Sequence, residues 1–168
     1  MQKQLFLLRH GDSLPANINK GINDFERILS PEGIEECQII GKFLQDKQQN
    51  IDYILASNAK RTTQTAENIK NYFPKSQLET THKLYNASAN EILDLISTID
   101  NKINNLMIVC HNPGISNLAT LLLENNSKEN NKSFVNFSTC GLTLFKVSIT
   151  DWVNIMEENL ELVFYKKP

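Results

Sequence analysis

The sequence predicts an α/β fold with a mostly parallel central sheet and helices on both of its faces. Short apolar runs alternate with longer segments in which apolar residues recur at helical spacing. Because a strand–helix–strand connection usually joins parallel strands, this alternation favours a parallel sheet. The two β-rich runs at 141–147 and 160–165 have no predicted helix between them, which favours an antiparallel edge formed by the last strands.

The first predicted strand covers residues 4–8, and a helix over 31–48 follows it after a polar loop. Ser30 supplies an N-cap hydroxyl, and Pro31 stands at the first helical position, where proline is favoured. Apolar residues then recur at helical spacing, which predicts the helix over 31–48. They are Ile34, Cys37, Ile40 and Leu44.

The second predicted strand covers residues 52–56. A helix of about 15 residues begins after Ser57-Asn58 and ends before Pro74. A capping-box pattern, in which a glutamate follows three residues after a serine, opens the next helix at Ser88. That helix is expected to run to about Ile99.

The most strongly apolar run, 106–110, predicts the next strand. Pro113 is suited to start the helix that follows it. An asparagine-rich run over 124–132 then predicts a surface loop without a role in function.

The composition predicts a single globular domain over residues 1–168 and argues against several classes of function. A net charge of −2 gives no reason to expect nucleic acid or an anionic membrane as a partner. No apolar stretch approaches the roughly 18 residues of a membrane span. The first residues show no pattern of a secretory signal. Three cysteines without paired spacing predict free thiols, and we therefore expect a cytoplasmic protein.

Residues suited to phosphate chemistry follow the predicted strands. His10 comes just after the first strand, Arg61 lies near the start of the helix after the second, and His111 follows the strand at 106–110. Because the carboxyl ends of parallel strands meet at one edge of a sheet, we expect these side chains, together with Arg9, at one rim. Helix N-termini at this rim add backbone donors and favour an oxyanion such as phosphate.

Arginine is rare in this chain. Of 17 basic residues only three are arginine, namely Arg9, Arg27 and Arg61. The planar guanidinium binds phosphate through two parallel hydrogen bonds, whereas lysine acts as a point charge. A chain that otherwise uses lysine is expected to keep arginine for places where this fork is needed.

Each motif also has a plainer structural explanation when it is taken alone. Arg9-His10-Gly11 could be an ordinary turn, Arg61 a solvated helix residue, and His111 a helix-capping residue. His82 is interpreted as a surface residue. The sequence has neither an H-x-x-x-H pattern nor paired cysteines, so we expect no zinc site and no cofactor. The joint occurrence of these motifs in one chain order favours a functional site.

The motif Leu8-Arg9-His10-Gly11 resembles the signature of the histidine phosphatase superfamily, the phosphoglycerate mutase-like group. Within that group, the chain is similar to the small phosphohistidine phosphatases of the SixA type. The resemblance extends over residues 4 to about 147, and its specific parts are this motif and the segment 109–114. The supporting segments are 24–33, 57–65, 84–87 and 137–141.

The resemblance implies a phosphoglycerate mutase-like fold in which His10 is the nucleophile that accepts the phosphate. The residues expected to bind the phosphoryl group and the substrate are Arg9, Arg61, His111, Gly11 and Asp12. The implied reaction is hydrolysis of phosphohistidine on a phosphorelay or phosphotransfer protein, through a covalent phosphohistidine intermediate and without a metal. Two alternatives stay open: a phosphatase acting on a small sugar or nucleotide phosphate, and a phosphate-binding regulatory module without turnover.

The general acid is not identified by any motif. Many larger members of the superfamily carry a glutamate acid in an insertion, but here only 49 residues separate Arg61 from His111. Glu79 and Glu91 are the nearest carboxylates in this interval, and Asp12 is a weaker candidate. A missing strong acid fits a leaving group that departs easily, such as the imidazole of phosphohistidine, better than it fits an alkyl phosphate.

Two positions depart from the family pattern. Cys110 stands where the family has a glycine before the second histidine, and Ile28 stands where proline is common. Cys110 could be sensitive to oxidation, but a buried, inert thiol is the preferred interpretation. The protonation state of His111 also stays open: a protonated ring would donate to the phosphoryl oxygens, and a neutral ring could position water.

Overall fold

The computed structural model describes residues 2–17, 20–124, 137–158 and 160–168. The described strands are β1 (Lys3–Arg9), β2 (Tyr53–Ser57), β3 (Gln77–Thr81), β4 (Asn105–Cys110), β5 (Leu142–Val147) and β6 (Leu160–Lys166). The described α-helices are α1 (Pro31–Asp46), α2 (Lys60–Lys70), α3 (Ala89–Ser97) and α4 (Gly114–Glu124). Apart from Glu124, the predicted asparagine-rich loop lies outside the described residues.

The six strands form one sheet in the order β3-β2-β4-β1-β5-β6. β1, β2, β3 and β4 are mutually parallel, whereas β5 runs antiparallel to both β1 and β6. The prediction of a mostly parallel sheet with antiparallel pairing of the last strands is therefore confirmed. Arg9 is paired with Cys110 in the register of β1 and β4, so His10 and His111 leave the sheet side by side.

Helices cover both faces of the sheet, as predicted. On one face, α1 and α2 pack on alternate residues of β1 such as Phe6 and Leu8. On the other face, α3 and α4 pack on Leu5 and Leu7. This alternation gives β1 a buried side chain at both faces, which is typical of a central strand in an α/β protein. Within the described ranges, no helix combines the length and apolar character needed to cross a bilayer.

The helix predicted over 31–48 ends at Asp46, and one of the four apolar residues at helical spacing does not belong to its buried face. Ile34 is exposed, while the neighbouring Gly33 is buried. A Cβ atom on Gly33 would lie 2.0 Å from the carbonyl oxygen of Asp12. The loop after β1 therefore packs directly on the backbone of the first turn of α1. Gly33 faces this loop, and the neighbouring Ile34 points to solvent.

The other differences concern element boundaries and one missing strand. β3 was not predicted, because Gln77–Thr81 is a polar edge strand without a fully buried side chain. The helix after β2 covers 11 residues rather than about 15. α4 begins at Gly114, one residue after the predicted start. The first turn of α4 lies close to the backbone of Ala87, because a Cβ atom on Gly114 would be 2.0 Å from the carbonyl oxygen of Ala87.

Candidate active site

A polar cavity of about 300 Å³ lies where β1 and β4 end and α2 begins. Five of the six predicted site residues line it, and Gly11 does not. Gly11 is buried beneath them, where its N–H donates to Thr65 Oγ1 at 3.1 Å. The lining residues are Arg9, His10, Asp12, Ser13, Asp24, Arg27, Arg61, Asn86, His111, Asn112 and Thr139.

Arg61 joins the two histidines of the cavity. Its Nε donates to His10 Nε2 at 3.3 Å, and its Nη2 donates to His111 Nδ1 at 3.2 Å. The two imidazole rings are 5.3 Å apart. All three side chains are buried, so these hydrogen bonds are shielded from bulk water. The cavity therefore holds one fixed cation between two imidazoles.

Asp24 orients Arg61. Its carbonyl oxygen accepts from Arg61 Nη1 at 2.6 Å, and its Oδ2 accepts from Nη2 at 3.1 Å. Tyr85 Oη and Arg27 Nη1 also donate to this carboxylate, at 2.8 and 3.1 Å. Partial burial opposes ionisation of Asp24, but the hydrogen bonds from Tyr85 and Arg27 and the charge of Arg61 outweigh it and lower the pKa to about 2. Asp24 is therefore a carboxylate at neutral pH and holds no proton to donate.

The hydrogen-bond partners define the tautomers of both histidines. A carbonyl oxygen only accepts, so His10 Nδ1 carries a proton and donates it to Gly11 O at 2.7 Å. The lone pair of His10 is then on Nε2, which faces Arg61. In His111 the order is reversed, because Nδ1 accepts from Arg61 and Nε2–H donates to Ser57 Oγ at 2.8 Å. His10 thus presents the nitrogen that can act as a nucleophile.

Both rings are neutral at physiological pH. Burial, with a smaller contribution from the charges of Arg61 and Arg9, lowers the pKa of His10 to about 4. Burial lowers the pKa of His111 to about 3, and the neighbouring His10 and Arg61 act in the same direction. The question left open by the sequence is therefore answered for the free site: His111 is an uncharged ring. The Nε2 atom of His10 carries no proton, and its lone pair accepts from Arg61 Nε.

Arg9 connects the end of β1 to the segment that precedes β5. Its Nη1 donates to the carbonyl oxygen of Phe137 at 2.8 Å, and Asn112 Nδ2 donates to the same oxygen at 3.1 Å. The backbone N–H of Cys140 donates to His10 O at 3.0 Å. Arg9 Nε is buried and has no hydrogen-bond partner among the described residues.

Glu36 of α1 ties two loops of the cavity together. One of its carboxylate oxygens accepts from Thr139 Oγ1 at 2.6 Å, and the other accepts from the backbone N–H of Asp12 at 2.8 Å. Asp12 Oδ2 accepts in turn from Ser30 Oγ, the N-cap hydroxyl of α1, at 2.6 Å. The start of α1 thus positions the loop that carries Asp12.

Two of the candidate acids lie outside the cavity. Glu79 accepts a hydrogen bond from Tyr53 across the β2–β3 pair. Glu91 completes the predicted capping box at Ser88, whose hydrogen bonds lower the pKa of Glu91. The structure therefore removes Glu79 and Glu91 as candidates for the general acid, and Asp12 is the remaining candidate at the cavity wall.

Cys110 is a buried thiol, which agrees with the preferred interpretation from the sequence. Burial raises its pKa to about 12, and its Sγ donates to Leu84 O at 3.2 Å. A thiol that stays protonated at neutral pH is a poor nucleophile and reacts slowly with oxidants.

Sequence reasoning missed several residues that line or support the cavity. Asp24 and Asn86 lie in segments that carried the family resemblance, but neither received a role. Arg27 had a usable signal, because it is the third arginine of the chain and all three arginines line the cavity. Glu36 and Ser57 had no signal, since their contacts are made only in the folded chain. In the part of the chain that the structure describes, no group of three or more His, Cys, Asp or Glu side chains is placed to hold a metal ion.

The fold and the cavity define an α/β protein that gathers arginines and neutral histidines at the carboxyl edge of a parallel sheet, an arrangement suited to binding phosphoryl groups. A family model described as "Histidine phosphatase superfamily (branch 1)" matches residues 5–96. The chain belongs to this superfamily, and that membership supports a phosphatase enzyme. A similar sequence is an uncharacterised protein of Mycobacterium leprae, 27% identical over 164 residues that cover 96% of this chain and 99% of that protein.

Solved structures with the same fold include two putative phosphohistidine phosphatases named SixA. The one from Nakamurella multipartitia has a TM-score of 0.87 at 20% identity, covering 100% of this chain and 97% of that one. The one from Agrobacterium tumefaciens has a TM-score of 0.79 at 24% identity, covering 99% of both chains. A Plasmodium falciparum phosphoglycerate mutase has a TM-score of 0.63 at 18% identity, covering 98% and 90%. A mycobacterial glucosyl-3-phosphoglycerate phosphatase has a TM-score of 0.67 at 14% identity, covering 99% and 100%. These likenesses confirm the phosphoglycerate mutase-like fold.

Proposed function

We propose that the protein is a cytoplasmic, single-domain phosphatase that hydrolyses phosphohistidine on a phosphorelay or phosphotransfer protein. The observation that carries this proposal is the state of His10. Its ring is neutral, its Nδ1–H is held by Gly11 O, and its Nε2 lone pair is directed to Arg61 in the cavity. A histidine in this state is ready to form a bond to phosphorus.

In the first step, His10 Nε2 attacks the phosphorus atom of the substrate. A nitrogen–phosphorus bond forms on His10, and the bond from phosphorus to the substrate nitrogen breaks. The electron pair of the broken bond goes to the leaving nitrogen, which takes up a proton from solvent water at the rim. Arg61, together with Arg9 and Arg27, neutralises the negative charge on the equatorial oxygens, which is the main contribution that a protein makes to phosphoryl transfer.

In the second step, water attacks the phosphohistidine on His10. The bond between phosphorus and Nε2 breaks, its electron pair returns to the ring, and inorganic phosphate leaves. The doubly negative phosphoryl group favours protonation of the nearby His111, because an opposite charge stabilises the charged form. His111 Nδ1, which accepts from Arg61 in the free site, then donates to a phosphoryl oxygen.

Phosphohistidine is favoured as the substrate because Asp12 is the one candidate acid left at the cavity wall among the residues considered. Its Oδ2 accepts from the N-cap hydroxyl of Ser30, Asp24 is held as a carboxylate, and Glu79 and Glu91 lie elsewhere. An imidazole leaves more easily than an alkoxide, so it needs less help from an acid. The chain between Arg61 and His111 is taken up by α2, β3, α3 and β4 and adds only Asn86 to the cavity wall. A protein substrate can therefore approach the rim.

The second candidate is a sugar phosphatase, because a glucosyl-3-phosphoglycerate phosphatase shares the fold. The test compares a phosphorylated histidine domain, sugar phosphates and an aryl phosphate, all without added metal. We expect the histidine domain to be dephosphorylated with the highest kcat/KM. Faster hydrolysis of the sugar phosphates would favour the second candidate, and phosphate binding without turnover would favour a regulatory module.

His10→Ala tests the covalent step. We expect it to abolish turnover, and we expect labelled phosphate from the substrate to be trapped on wild-type protein as an acid-labile adduct at His10. Near-normal activity of the variant, or a label on another residue, would contradict the mechanism.

A further inference from the structure

Each of the three histidines of the chain directly follows a parallel strand. His10 follows β1, His111 follows β4, and His82 follows β3. Because parallel strands end at the same edge of the sheet, His82 is delivered to the rim that carries the cavity. The position of His82 at this edge was not predicted from the sequence, because β3 was not recognised as a strand and His82 was assigned to the surface. The ring is indeed exposed, but it stands beside the site.

His82 belongs to a group of three rings. Its centroid lies 5.6 Å from that of Tyr85, with the two planes 37° apart, and 5.7 Å from that of Phe25. Phe25 and Tyr85 are themselves in edge-to-face contact at 5.1 Å. We call these three residues the aromatic shelf. Their spacings are those of favourable aromatic pairs, so the rings hold one another in place.

The aromatic shelf adjoins the cavity. Tyr85 is in edge-to-face contact with His111 at 5.6 Å, and its hydroxyl donates to Asp24 Oδ2 at 2.8 Å. Phe25 follows Asp24 in the chain, and its carbonyl oxygen accepts from the backbone N–H of Lys60 at 3.1 Å, at the start of α2. One end of the shelf is therefore fixed to the residues that orient Arg61, and the other end is open at His82.

The proposed phosphoryl transfer gives these rings no task. Phe25 and Tyr85 are only half-buried, and His82 is exposed, although aromatic surface is favourably removed from water. A flat ring placed on the shelf would cover this surface and could stack on it. A cationic ring would gain further from the faces of Tyr85 and Phe25.

We propose that the aromatic shelf binds the ring of the leaving group, namely the imidazole of the phosphohistidine substrate. This inference rests on the proposed function and adds the group that selects the substrate. In phosphohistidine a ring nitrogen is bonded directly to phosphorus, so the ring must lie at the mouth of the cavity when the phosphoryl group is inside. The shelf lies next to the cavity, because Tyr85 contacts two residues of the cavity wall, His111 and Asp24.

The experiment compares two substrates with the same kind of bond. Phosphohistidine carries a ring on its phosphorus–nitrogen bond, whereas phosphoramidate has the bond without a ring. The measured quantity is the ratio of kcat/KM for phosphohistidine to kcat/KM for phosphoramidate. His82→Ala is expected to lower this ratio about three- to tenfold, which corresponds to the loss of one aromatic contact. His82→Phe keeps a ring and is expected to retain the wild-type ratio.

Two further variants make the comparison specific. Phe25→Leu preserves apolar volume but removes a ring, and it is expected to lower the ratio in the same direction as His82→Ala. Thr80→Ala changes an exposed side chain of β3 that is not one of the three shelf residues, and it should leave the ratio unchanged. Thermal unfolding of each variant shows that it is folded.

Three results would overturn the inference. The first is an unchanged ratio in His82→Ala and Phe25→Leu, and the second is an equal loss on both substrates, which would indicate a general disturbance of the cavity. The third is a His82→Phe variant that behaves like His82→Ala. Failure of the proposed function would look different, because wild-type protein would then hydrolyse neither substrate, and the inference would be overturned with it.

Discussion

Replacement of Arg61 by lysine separates charge from geometry. The guanidinium uses all three of its nitrogens: Nε contacts His10, Nη1 contacts the carbonyl oxygen of Asp24, and Nη2 contacts both His111 and the Asp24 carboxylate. Lysine has one ammonium group on a flexible stem and cannot make these contacts at once. Arg61→Lys therefore keeps the positive charge but loses the fork that would hold a phosphoryl group.

The size of the effect follows from the hydrogen bonds lost. Two hydrogen bonds from a charged donor to the phosphoryl oxygens, each contributing about 1.5–3 kcal/mol, would be weakened or lost. The activation free energy would then rise by about 3–6 kcal/mol, which lowers kcat by about 10²- to 10⁴-fold. The buried acceptors of His10 and His111 would also lose their donor, which adds a cost to folding.

Steady-state hydrolysis of an aryl phosphate without added metal measures this loss. Lys60→Arg is the matched control, because it makes the reverse exchange at the preceding position, where an exposed lysine pairs with Glu26. We expect the control to keep wild-type kcat. If Arg61→Lys also keeps wild-type kcat, Arg61 does not contact the reacting phosphoryl group, and the reasoning from its geometry is wrong.

Two further predictions concern stability. The pKa values of His10 and His111 are lowered on folding from 6.5 to about 4 and about 3, so the unfolded chain binds more protons in this range and stability falls as the pH decreases. Between pH 7 and 5 each histidine is expected to remove about 2 kcal/mol from the free energy of unfolding, measured by urea denaturation. His111→Asn lacks one of the two groups, so its free energy of unfolding should fall less over the same pH range. An equal loss in the variant would contradict this account. Gly33→Ala would place a Cβ atom 2.0 Å from Asp12 O, and we expect it to cost about 1–3 kcal/mol and to reduce turnover. Glu35→Ala on the exposed side of α1 is its control in the same urea and turnover assays, and equal stability of the two variants would refute the close packing at Gly33.

The convergence of His10, Arg61 and His111 could be predicted from the sequence because it depends on a rule of topology. Strand–helix alternation implies parallel strands, and residues just after such strands share one edge. The same rule would have placed His82 at this edge if β3 had been recognised as a strand from the sequence. Gln77–Thr81 has no apolar alternation, because an edge strand of this sheet is not covered on both faces.

The supporting residues could not be predicted, because their roles arise from distant contacts. Glu36 contacts Thr139 across 103 positions of the chain, and Asp24 meets Arg61 across 37. The charge state of His111 is likewise a property of burial, which local sequence does not report. The exposure of Ile34 has the same origin, since the loop that packs on Gly33 comes from another part of the chain.

The central position of β1 has a consequence for the timing of activity during synthesis. β1, which leads to the proposed nucleophile His10, precedes the other described strands in the sequence, yet it pairs with β4 on one side and β5 on the other. A nascent chain that has emerged only as far as β3 contains His10 and Arg61. It lacks His111 and also Phe137, whose carbonyl oxygen is the partner of Arg9. We expect such a chain to be unable to take phosphate from a partner protein. The order of strands thus makes the proposed activity depend on the segment that leads into β5, because this segment supplies both the carbonyl partner of Arg9 and the second neighbour of β1.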